Sequence, residues 1–346
     1  MEAMPLAGIA IAVVKDGKLH FVESYGLKNI EKNIPLQTQD IFRIASISKS
    51  FTATGIMQLV DAGKFKLEDD ISDLIGFKVR NPKFPNTKIT LKMLLSHTSS
   101  LSDKEGYFEL DVLNPEKNEN WANVFNDYEP GSEYQYCNLN FNMLGAVIER
   151  YTQKRFDNYI VENILDPLQI YGGFCVDSLD NNLFTNLYSY QAKTDSFTHS
   201  PAAYNPRSEE IKNYTLGYST PIFSPTGGMK ISAKDLAQYM IMHMNYGSSN
   251  GKTIISERSS KLMQTPVLES SNYGLALNVK DNYIQGEKMV GHTGSAYGLF
   301  SNMYFQPEEK FGFVIITNGT KPNYTDEFLS ILHETANILY EHFIKD

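Results

Sequence analysis

Ser46 and Lys49 stand three residues apart in Phe42-Arg43-Ile44-Ala45-Ser46-Ile47-Ser48-Lys49-Ser50-Phe51-Thr52-Ala53. On a helix that spacing sets an amine beside a hydroxyl on one face. A serine hydroxyl is a weak nucleophile until a neighbouring base takes its proton, and a lysine becomes that base when desolvation or nearby positive charge depresses its pKa. The opening turn of a helix adds unpaired N–H groups and partial positive charge that favour a developing anion. Behind the pair, Ile47, Phe51, Met57, Leu59 and Val60 can pack into a core, and Gly63 reads as the helix stop. The same spacing recurs at Ser249-Asn250-Gly251-Lys252, but in turn-forming surroundings with no apolar helix behind, so it reads as a loop. Gly247-Ser248-Ser249-Asn250-Gly251 also fits a nucleophile-elbow pattern, yet a helix precedes it where that motif needs a strand.

Two further groups of residues can serve the same chemistry. Tyr136-Cys137-Asn138 follows Pro130-Gly131-Ser132 and precedes a helix. Its phenol can relay a proton and its amide can orient a lysine or a substrate; alone, it reads rather as a packed tyrosine beside a helix-capping asparagine. Gly291-His292-Thr293-Gly294-Ser295 closes a strand. Glycines there admit close approach of a substrate, and the backbone N–H of Ser295 with that of Ser46 could form an oxyanion hole; alone, it reads as a turn with a surface histidine.

Composition limits the alternatives. With 31 Lys and Arg against 40 Asp and Glu, the net charge is −9 and no basic stripe is present, which disfavours nucleic acid and anionic membranes as partners. Cys137 and Cys175 make neither a disulfide framework nor a metal cluster, and His333-Glu334 lacks the second histidine of a zinc-protease helix. No cofactor or metal is expected. No apolar run is long enough to span a bilayer, and the first one, Leu6 to Val14, ends in a hairpin signal rather than a cleavage site.

Positioning these groups requires a scaffold. Residues 6–15 and 18–25 flank Asp16-Gly17, a two-residue hairpin signal, and Asn33-Ile34-Pro35 reads as a turn. From Gly63 to about residue 225 the pattern predicts helices and polar loops without clean strands, including a helix from Leu91 to Leu95 capped by Thr90 and one carrying Leu139, Met143, Leu144, Val147 and Tyr151. Ser232 caps a helix reaching about Asn245. Strands are expected at Tyr273–Val279, Leu299–Phe305 and Phe311–Thr317, with turns at Asp281-Asn282 and Pro307-Glu308-Glu309-Lys310. A last amphipathic helix carries Phe328, Ile331, Leu332, Ile338, Leu339 and Phe343. Strands at both ends with helices between predict an α+β fold, an α/β sandwich: an antiparallel sheet flanked by helices with an inserted helix-rich lobe. Residues 1–63 and 226–346 would form the sheet lobe and 64–225 the inserted one, with the active site in the cleft between them.

Together with Leu94-Leu95-Ser96-His97-Thr98-Ser99-Ser100-Leu101, Pro130-Gly131-Ser132 and Pro225-Thr226-Gly227-Gly228, these motifs make the chain resemble, over nearly its whole length, the serine β-lactamase and penicillin-binding protein superfamily. The branch it looks like contains class C β-lactamases, D-alanyl-D-alanine carboxypeptidases, carboxylesterases and D-aminopeptidases. The resemblance implies a β-lactamase/DD-peptidase-like fold and a cofactor-free hydrolase that forms an acyl-enzyme on Ser46. Lys49 would be the base and Tyr136 the proton relay; Asn138 would orient, and His292, Thr293, Gly294 and Ser295 would line the substrate site. His97 is expected to be structural. Two departures stand out: His292 occupies the place of a fixed lysine cation, and Cys137, read as a packed thiol, replaces a small residue. The first points toward an esterase or peptidase acting on a small-molecule or peptide substrate, with D-Ala-D-Ala carboxypeptidase, D-aminopeptidase or weak β-lactamase as alternatives. An acylatable or non-catalytic penicillin-binding and sensing module is the alternative of another class. Members that handle cell-wall peptides work outside the cytoplasm, so export is expected, with its signal absent from this sequence. The Tyr-rich segment 103–136 with Trp121 either walls the pocket or packs on itself.

Overall fold

The computed structural model describes residues 5–345. Its centre is a seven-stranded antiparallel sheet built from both ends of the chain. The strands are β1 (Leu6–Lys15), β2 (Lys18–Asn29), β3 (Ile34–Pro35), β4 (Asn278–Ile284), β5 (Glu287–Ala296), β6 (Leu299–Gln306) and β7 (Phe311–Thr320), in the order β4-β5-β6-β7-β1-β2-β3. Between them the chain forms α1 (Ser48–Asp61), α2 (Asn138–Thr152) and α3 (Ala233–Met244), and α4 (Ser330–Leu339) follows the last strand.

The sheet is covered on both faces, which explains why its two central strands read as continuous apolar runs. Successive side chains point to opposite faces. Ala10, Ala12 and Val14 of β1, with Val314 and Ile316 of β7, join the large core shared with α1, α2 and α3. Ile9, Ile11 and Val13, with Phe313 and Ile315, join a second core closed by Phe328, Leu332, Ala336 and Leu339. The Asp16-Gly17 hairpin forms as the sequence predicts, both residues having positive φ (52° and 68°). The remaining helices are short, among them Ile71–Ile75, Leu91–Leu95, Phe156–Ile160 and Glu257–Met263; Thr90 and Ser232 each cap the helix expected of them, by accepting from Met93 N–H and Asp235 N–H.

Several elements differ from expectation. Ile34–Pro35 is not only a turn but pairs with β2 as the sheet edge, a position where proline's missing N–H costs nothing. Asp281-Asn282 is no turn: it lies inside β4, where the register shifts between Lys280 and Ile284, and the reversal occurs at Gly286, φ 88°. Polar residues at an irregularity mimic a turn in sequence. β5, rich in Gly and polar residues, is ten residues long where only its end was legible, and residues 273–277 are outside β4. A small hairpin, Tyr188–Gln191 with Ser196–His199, interrupts the region expected to lack strands. Phe328 precedes α4, and Ile338 is exposed.

Leu332→Ala, which removes the fully buried centre of the α4 face, is expected to lower the unfolding free energy by about 2–5 kcal/mol in urea denaturation; a loss below about 0.5 kcal/mol would mean that α4 does not close this core.

Candidate active site

Ser46 lies not in α1 itself but on the single 3-10 turn, Ala45–Ile47, that feeds into it. Ala45 has φ 51°, a left-handed conformation that strains a residue bearing a Cβ and holds only when neighbours fix it. They do so here. The Ser48 hydroxyl donates to Ala45 O (2.5 Å) and accepts from Met229 N–H (3.0 Å). The Ser301 hydroxyl of β6 donates to Ile44 O at 3.0 Å. Gly294 of β5 lies so close that a Cβ on it would sit 2.3 Å from Ile44 O. The glycine in the third motif is thus explained by contact between β5 and the turn that carries Ser46.

Lys49, one turn further on, is fully buried. Its Nζ lies 3.1 Å from Ser46 Oγ, 2.8 Å from Asn138 Oδ1 and 2.8 Å from Thr226 O, and 4.7 Å from the centre of the Tyr136 ring. Burial drives its pKa down to about 7, against a smaller opposing pull from Asp103 and Cys137. Thr226 O and Asn138 Oδ1 are acceptors, so in the neutral amine both N–H groups are committed to them. The lone pair is left for the Ser46 hydroxyl proton. This is the arrangement an activated serine needs.

Burial pushes the Tyr136 phenol far above its ordinary range, the adjacent Ser46 hydroxyl opposing it only in part. It therefore remains protonated, suited to passing protons rather than holding a negative charge. His292 is 3% exposed, its Nε2 3.1 Å from the Tyr273 hydroxyl and its Nδ1 2.6 Å from Thr293 O. Desolvation, reinforced by Lys49, brings its pKa to about 3, so it supplies no cation. Thr293 and Ser295 alternate with it and are exposed. Gly294 and Ser295 sit opposite Ser301 and Phe300 in the β5–β6 register.

His97 is buried, as expected of a structural residue. Its Nδ1 accepts from Cys137 N–H at 3.1 Å, which fixes the neutral ring with its proton on Nε2. That N–H has no polar partner among the described residues; the ring packs against Tyr136, Phe141 and Tyr273. Cys137 is buried with its thiol pushed well upward by desolvation, consistent with a packed group.

Sequence reasoning missed Asp103. Its carboxylate accepts from Asn138 N–H (2.9 Å), Asn138 Nδ2 (2.8 Å), Leu139 N–H (3.0 Å) and the Cys137 thiol (3.3 Å). It caps α2 from a loop 35 residues away. One signal was available: the residue before α2 is Cys137, which makes no side-chain cap, so the helix needed a cap from elsewhere. In the same segment Tyr107 and Trp121 pack against the core and Phe108 is exposed. A cavity of about 790 Å³ between the Gly63–Asp69 loop and the helix Glu257–Met263 includes none of these site residues.

The chain is similar over most of its length to several known proteins. "Protein flp" of Staphylococcus aureus (strain MRSA252) is 25% identical over 321 residues, covering 90% of this chain; the chain spans 60% of that relative's length. Penicillin-binding protein 4 of Amycolatopsis lactamdurans is 27% identical over 352 residues, covering 96% of this chain and 86% of the relative. Among solved structures, the octameric penicillin-binding protein homologue from Pyrococcus abyssi superposes with a TM-score of 0.72 at 26% identity, covering 91% of this chain and 70% of that one. D-amino acid amidase from Ochrobactrum anthropi SV3 shares the fold, with a TM-score of 0.75 at 19% identity and coverage of 97% and 93%. A family model described as Beta-lactamase matches residues 1–335, and the chain belongs to that family.

Proposed function

We propose that this chain is a serine hydrolase that cleaves an ester or amide through an acyl-enzyme on Ser46. The observation that carries the reading is the buried Lys49 amine, 3.1 Å from Ser46 Oγ, with both of its N–H groups committed elsewhere. Ser46 Oγ attacks the substrate carbonyl as its proton passes to Lys49 Nζ, while the N–H groups of Ser46 and Ser295 hold the oxyanion. Between Lys49, with a pKa of about 7, and Tyr136, with a pKa far above 10, only the former can be the base near neutral pH. Tyr136 hands its proton to the leaving group and regains one from Lys49. A water then attacks the acyl carbon, its proton entering the same Tyr136–Lys49 relay, and Ser46 leaves with a proton restored to its oxygen.

The site draws Ser46, Lys49, His292 and Ser295 from 1–63 and 226–346, and Tyr136 and Asn138 from 64–225, which supports reading these as two lobes with the substrate between them. The neutral, buried His292 supports an ester or amide substrate over one that needs a fixed cation at this place to hold a carboxylate.

Intact-mass spectrometry after exposure to a fluorophosphonate, a β-lactam and a short-chain p-nitrophenyl ester tests the reading. Adducts and ester turnover are expected in the wild type and neither in Ser46→Ala; turnover retained by Ser46→Ala would sink it. The rate of acylation is expected to rise with pH through about 7, because Lys49 must shed its proton before it can accept one from Ser46. A profile flat from pH 5 to 9 would exclude Lys49 as the base, on the ordinary titration behaviour of a single group.

A further inference from the structure

We infer that Asp103 is a positioning residue for the catalytic base: through Asn138 it fixes which way the Lys49 lone pair points. The inference rests on the acyl-enzyme reading above.

The geometry runs in one direction. All four contacts of the Asp103 carboxylate come from donors, two of them from Asn138 and one each from Leu139 and Cys137. A carboxylate only accepts, so the Asn138 group facing it at 2.8 Å must be the NH₂. The amide oxygen is then turned the other way, where it accepts from Lys49 Nζ (2.8 Å) and from the Thr226 hydroxyl (2.7 Å). Were the amide reversed, its NH₂ would confront the amine and the Thr226 hydroxyl. Lys49 would then turn its lone pair toward Asn138 instead of Ser46. Asp103 makes no hydrogen bond to Lys49 or Ser46 among the described residues, so it acts through Asn138.

Charge follows the same path. The titratable groups around Lys49 are Tyr136 and Cys137 before α2, His97 from the loop after Leu91–Leu95, His292 of β5, and Asp103. Burial holds the first four neutral, the phenol and thiol by raising their pKa and the imidazoles by lowering theirs. Asp103 is the carboxylate of the set. Desolvation is the main influence on Lys49, and Asp103 opposes it.

Removing that carboxylate takes away an influence that raises the Lys49 pKa. The test measures the rate of Ser46 labelling by a fluorophosphonate against pH, read by intact mass, for the wild type, Asp103→Asn and Asp103→Ser. In both variants the plateau rate is expected to fall roughly 10–100-fold through misdirection of the amine, and the acid limb to move to lower pH than in the wild type. Asp103→Ser removes the carboxylate while leaving a small polar side chain, and carries the comparison should Asp103→Asn not fold. Slower labelling with the acid limb unmoved would make Asp103 a helix cap only and overturn the proposal. A wild type that is never labelled on Ser46 would instead remove the acyl-enzyme reading on which it stands.

Discussion

A lysine with nowhere to put its charge is the constraint from which the rest of the site follows. Lys49 sits at zero exposure inside the shared core of sheet and helices, and an ammonium there loses its hydration without an ion-pair partner in contact among the described residues. What surrounds it is a set of neutral acceptors: a carbonyl, an amide oxygen and a hydroxyl. Three acceptors would satisfy an ammonium, and two acceptors with one donor satisfy a free amine. The same cage can therefore hold both protonation states with little rearrangement, as the proposed role of Lys49 requires.

The scaffold serves this cage by rigidity. Its central strands are buried on both faces, so they resist displacement, and β5 and β6 are registered against them residue by residue. Their contacts, the Ser301 hydroxyl on Ile44 O and the bare backbone of Gly294 against the same carbonyl, hold the left-handed Ala45 that aims Ser46. On the other side, α2 begins at Asn138, so anything that fixes the start of that helix also fixes the amide facing Lys49. Strain at Ala45 and a remote cap at Asp103 are thus two supports of one geometry, each supplied by an element distant in sequence.

Much of this was legible before any coordinates, and what was not has a physical reason. Ser46, Lys49, Tyr136, Asn138 and His292 are brought together, and the hairpin at Asp16-Gly17, the caps at Thr90 and Ser232 and the sheet made from both chain ends are local or periodic signals that a sequence carries directly. The strand β5 was only half visible because glycine and polar residues replace the usual β-branched pattern where it meets the Ser46 turn. Asp281-Asn282 looked like a turn because an irregularity and a reversal favour the same residues. Asp103 was missed because a carboxylate that caps a helix 35 residues away leaves no spacing to read.

The buried Lys49 also has a thermodynamic consequence. Lys49 titrates near 10.5 in an unfolded chain and near 7 here. Between those values the unfolded state holds a proton that the folded state lacks, so this residue makes stability increase as pH rises through the window. Below about 7 both states are protonated and the full penalty applies, on the order of 5 kcal/mol for a shift of this size. That is comparable to the whole stability of a small domain. A fold could remove the penalty by replacing the amine with a methyl-terminated chain, and would lose the amine beside Ser46. The large two-faced core of this protein is therefore what accommodates a destabilising lysine beside Ser46, which ties the breadth of apolar packing around β1 and β7 to the amine at their margin.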